Sequence, residues 1–70
     1  MYILVSVYER EIFVEKFNNY ADAHIAMHNK VLREIEKSHN FDEDEFEINA
    51  WDAWSNLDSD CNCDWKIVEL

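Results

Sequence analysis

The 70-residue sequence predicts an α+β domain: a small four-stranded antiparallel sheet with one helix on one face, in the order β-β-α-β-β. Three observations carry this prediction. Two short runs of β-branched and aromatic residues open the chain, an amphipathic run of helical period follows, and apolar residues alternate with polar ones toward the end. Seventy residues make a single domain, 1–70, close to the lower size limit for folding on one hydrophobic core. With 49% hydrophobic and 14% aromatic residues, the chain is too apolar for the disordered class.

The first two strands are YILVSVY, residues 2–8, and IFVEKF, residues 12–17. Glu9-Arg10-Glu11 separates them, and the whole chain lacks Gly and Pro, so a connection wider than a tight primed turn is expected. Asn18 and Asn19 then announce a helix, because an Asn side-chain oxygen accepts a bond from the orphan amides of a first turn. A helical period over residues 20–38 places Tyr20, Ala21, Ala23, Met27, Val31, Leu32 and Ile35 on one face, with Ile25 at its edge. His24 and His28, four residues apart, fall inside this stripe.

FDEDEFE, residues 41–47, reads as an acidic loop running into a strand. FEINAW, residues 46–51, alternates Phe46, Ile48 and Ala50 against Glu47, Asn49 and Trp51. DAWSNLDSDCNCD is rich in the Asp, Asn and Ser that bond their own backbone, and is expected to form turns. WKIVEL supplies the last strand. One helix covers one face of such a sheet, so some of Tyr2, Tyr8, Phe13, Phe17, Trp51, Trp54 and Trp65 are expected on the opposite face or its rim.

Charge is unevenly spread. Residues 1–40 hold six acids against five bases, a net of −1, whereas residues 41–70 hold ten acids against Lys66 alone, a net of −9. Binding to phosphate or anionic lipid depends on Lys and Arg, so direct contact with nucleic acid or membrane is not expected. The opening MYILVSVYERE has no basic segment and no small-residue cleavage site, and no apolar run reaches a membrane span of roughly 18 residues. The expected compartment is cytoplasmic. Cys61 and Cys63 are too close for an unstrained bridge, so reduced thiols are expected.

Two metal patterns stand beside the charge. Asp58, Asp60, Asn62, Asp64 and Glu69 fall at calcium-loop offsets, but Cys63 replaces the Gly that makes the sharp turn, and a strand stands where the exit helix belongs. Cys61 and Cys63 with His24 and His28 make a soft donor set for zinc, at a tighter spacing than usual. The simpler reading of the two histidines is contact with the sheet or a Tyr hydroxyl, and that of His39 is an interaction with the helix dipole. No Gly-rich phosphate loop and no nucleophile with an identifiable base is present, so neither a catalytic residue nor a cofactor is assigned and no enzyme activity is expected.

The motif Ala53-Trp54-Ser55-Asn56 followed by Asp64-Trp65-Lys66-Ile67, together with the hairpin and helix before it, resembles short, uncharacterised acidic proteins of gut Firmicutes and their mobile elements. The resemblance implies a shared fold and carries over no functional residue. Those proteins have Gly-Pro turns where this chain has LDSDCNC, which makes the calcium offsets local to this sequence. Some phage inhibitors of host defence are similarly small and acidic, a likeness of composition only.

The sequence therefore points first to a non-enzymatic interaction protein. Its acidic half would meet a basic protein surface, such as that of a nucleic-acid-binding protein, through Asp42, Glu43, Asp44, Glu45, Glu47, Asp52, Trp54, Asp58 and Asp60. A small metal-binding module and a homodimer joined through the uncovered sheet face are the alternatives.

Overall fold

The computed structural model describes residues 1–9, 11–37, 45–58 and 61–70, with 57, 58 and 61 as backbone only. The elements are β1 (Tyr2–Tyr8), β2 (Glu11–Phe17), α1 (Tyr20–Lys37), β3 (Phe46–Ile48), β4 (Asp52–Asp58) and β5 (Cys61–Glu69). All strand pairs are antiparallel, in the spatial order β2-β1-β5-β4-β3. The α+β class holds, with five strands in place of four.

The extra strand comes from the segment expected to form turns. DAWSNLD is β4, and CNCD is the first half of β5. Asp, Asn and Ser favour turns when nothing else decides, but here every second residue, Ala53, Ser55, Cys63, Trp65 and Ile67, is buried under the helix. The reversal falls earlier than expected. FEINAW stops at Ile48, the Asn49 amide donates to the Asp52 carbonyl at 2.8 Å, and Ala50 and Trp51 make the bend. β4 carries a bulge between Ser55 and Asp58.

The β1–β2 hairpin has the expected strands and a tighter turn. Tyr8 pairs with Glu11, which leaves a two-residue connection, and Glu9 takes a φ of 53°. This left-handed conformation is one that Gly adopts cheaply and Glu does not.

At the helix, the Asn19 Oδ1 accepts the Asp22 amide at 2.8 Å, and the Asn19 Nδ2 donates to the Asp22 carboxylate at 3.1 Å, so Asn19 is the cap. Ala23, Met27 and Val31 are fully buried, and they pack on Leu4, Ala53, Cys63, Trp65 and Ile67. The buried stripe is narrower than the periodicity indicated, since Ala21, Ile25 and Leu32 are exposed. Lys30 ties the helix to β2 through Glu15 at 2.8 Å, a partly exposed pair contributing at most about 1 kcal/mol. The N-terminal end of the helix is pinned to the β3–β4 bend, where the Tyr20 hydroxyl donates to the Ala50 carbonyl and Trp51 packs on Tyr20 and Tyr2.

Candidate functional site: the open face of the sheet

Strand alternation divides the side chains cleanly. The helix side takes Leu4, Ser6, Ala53, Ser55, Cys63, Trp65 and Ile67. It also takes nearly all the described aromatics. Phe13 lies beside Ser6 in register and edge-on to Tyr8, and Tyr8 in turn accepts the Trp65 indole N–H at 3.2 Å. Among the described aromatics, Trp54 alone lies on the opposite, uncovered face.

That open face is aliphatic on one side and acidic on the other. Following the register across the sheet, one row reads Ile12, Val7, Asp64, Trp54, Glu47. The next reads Val14, Val5, Lys66, Asp52, and a third Lys16, Ile3, Val68. Ile12 and Val14 are more than half exposed, and no described element covers them. Between the two halves lies an open depression of about 410 Å³, bounded by Val5, Val7, Asp52, Trp54, Asp64 and Lys66.

Trp54 is held in place by its edge. The Glu47 carboxylate accepts its indole N–H at 3.2 Å, and the two residues are directly opposed in the β3–β4 ladder. Asp52 accepts the Asn49 side-chain amide at 2.8 Å, which fixes its carboxylate at the β3–β4 bend. Tyr2 and Glu69 face one another across β1 and β5 on the other side of the sheet. The carboxylate raises the Tyr2 hydroxyl above its ordinary value of 10.0, with desolvation and their hydrogen bond adding to the effect.

Of the partner-binding residues expected from sequence, Glu47, Asp52 and Trp54 come together on this face. Glu45 is half-buried immediately before β3. Asp42, Glu43, Asp44, Asp60 and the side chain of Asp58 lie outside the described residues, as do His39 and the Cys61 thiol. Asp64, expected as part of the acidic half and at a calcium offset, belongs to the surface as well; Val5 and Val7 also belong to it and were missed. The signal for them was present: YILVSVY is apolar at odd and even positions alike, which marks a strand with two apolar faces.

Of the calcium offsets, the described Asp64 and Glu69 are not drawn together. Asp64 and Glu69 stand on the same strand, pointing to opposite faces and about 17 Å apart at strand rise, too far for one ligand shell. Cys63 is buried in the core, His24 packs on Tyr20, and His28 is exposed. No group of three or more His, Cys, Asp or Glu placed to hold a metal ion occurs among the described residues. Nor is any described helix long and apolar enough to cross a membrane.

Comparison with protein-family models, with curated proteins and with solved structures found no match to this chain. The site itself therefore carries the functional reading.

Proposed function

We propose that the chain is a small, cytoplasmic, non-enzymatic binding protein that receives a basic protein surface on the open face of its sheet. The observation that carries this reading is the setting of Trp54: an indole lining a depression whose other side is Val5 and Val7, with Glu47, Asp52 and Asp64 as its neighbours. An aromatic anchor in an apolar patch with charges at its rim is how protein interfaces distribute affinity and specificity. The net of −9 in residues 41–70 selects a cationic partner and speeds its approach. A nucleic-acid-binding protein, engaged where it would hold phosphates, meets this description best.

The test is affinity capture with the immobilised chain at low and moderate salt, followed by competition with duplex DNA or RNA. Basic proteins retained at low salt, released by salt and displaced by nucleic acid are expected. Trp54→Ala combined with Asp64→Lys should abolish their retention. Capture that is indifferent to salt and unaffected by both substitutions would sink the proposal.

A further inference from the structure

The edge of the sheet formed by β2 makes a claim separate from the open face. All of Glu11–Lys16 is exposed, with Ile12, Phe13 and Val14 at 68%, 47% and 58% exposure. The strand is seven residues long, regular, and has no proline and no bulge in its ladder to β1. Natural sheets rarely leave such an edge bare, because its outward N–H and C=O groups are a template for another strand.

We propose that β2 is a homodimerisation edge, pairing antiparallel with β2 of a second copy about a two-fold axis through Val14. Four observations support this occupant. The first is backbone geometry. Tyr8 and Glu11 close a two-residue turn and so form a narrow hydrogen-bonded pair, which means that Glu11, Phe13, Glu15 and Phe17 turn their amides toward β1. The outward groups are then those of Ile12, Val14 and Lys16.

Register is the second. A two-fold axis normal to the sheet requires opposed residues of the same parity, and centring it on Val14 opposes Ile12 to Lys16, Phe13 to Glu15 and Glu11 to Phe17. All three outward residues are used, giving about six new backbone bonds, and no like charges stand directly opposite. Moving the axis to Phe13 opposes Glu11 to Glu15, and moving it to Glu15 places two glutamates together.

Charge location is the third. β2 holds Glu11, Glu15 and Lys16, whereas the described residues of the −9 half form the other side of the sheet, β5-β4-β3. Joining at β2 keeps the two acidic halves as far apart as the fold allows. The fourth is continuity: Val14 and Ile12 extend the aliphatic rows of Val5 and Val7 across the axis, so the two copies share one apolar strip.

The inference does not depend on the proposed function, and salt separates the two. Capture of a basic partner weakens as salt rises, while association of two chains of net −10 tightens. Sedimentation of the full chain up to high micromolar concentration should show a monomer–dimer equilibrium that shifts toward dimer with salt. Val14→Lys puts two like charges at the axis and should raise the dissociation constant by at least about tenfold. Val14→Pro removes only an outward N–H and should act in the same direction, with circular dichroism confirming that each variant is folded. In an equal mixture of isotope-labelled and unlabelled chain, filtered NOEs should connect Ile12 of one copy to Lys16 of the other. A wild-type monomer throughout, dimerisation unchanged in both folded variants, or intermolecular contacts away from β2 would overturn the proposal.

Discussion

Ser6 sits at the centre of β1 with no exposed surface, and among the described residues its hydroxyl is the one buried side-chain polar group without a hydrogen-bond partner. Its neighbours across the sheet, Phe13 and Trp65, offer aromatic surface in place of acceptors. A hydroxyl in that position loses its hydration on folding and regains nothing, a penalty of about 1–3 kcal/mol. Ser6→Ala keeps the volume nearly constant and should stabilise the fold by about 1 kcal/mol. Urea unfolding measures this as a rise in midpoint at unchanged slope, and a lowered midpoint would show that the hydroxyl has a partner in solution. Trp54 is the converse case, a polar-edged ring at an accessible position whose N–H is satisfied by Glu47.

Among the elements, the hairpin carries the most readily corrected strain. Glu9 holds φ at 53°, where a residue with a Cβ is disfavoured by about 1–2 kcal/mol relative to Gly. Glu9→Gly should therefore stabilise the protein by about 1 kcal/mol, after the greater freedom of Gly in the unfolded chain is deducted. Thermal unfolding would show it, and a loss of stability would mean that the Glu9 side chain supports the turn. The turn was also where local reading of the sequence went astray, since the lack of Gly argued for a wider loop. Helix α1 was legible because its cap, period and length agree, from Asn19 through Ala23, Met27 and Val31. β4 and the first half of β5 were not, because their inward residues Ala53, Ser55 and Cys63 are small, whereas WKIVEL reads as the last strand. Small residues let the helix approach, yet they read as neutral or turn-forming in isolation. The site was half legible: Glu47, Asp52 and Trp54 stood out by charge and ring, whereas Val5 and Val7 became part of it only through pairing of β1 with β5.

For the molecule as a whole, charge opposes compaction. Ten acids stand against one base in residues 41–70, the β3-β4-β5 meander sets the described Glu47, Asp52 and Asp64 on one face, and mutual repulsion among the acids is a cost of the folded state. Melting temperature should therefore rise between low and moderate salt, as screening shortens the range of that repulsion to about 10 Å or less. A flat dependence would mean that the carboxylates are already compensated. Topology adds a separate consequence. The sheet is centred on β1 and β5, and the Leu70 amide donates to the Met1 carbonyl at 2.9 Å, so residues farthest apart in sequence are neighbours in space. Local pairing can form the β1–β2 hairpin and the β3-β4-β5 meander early, but the two join into one sheet only when the two extremities find each other. Folding is thus governed by one long-range closure, slow for so short a chain. Trimming a few residues from either extremity strikes the keystone of the sheet, where a comparable loss from β2 would remove only its margin.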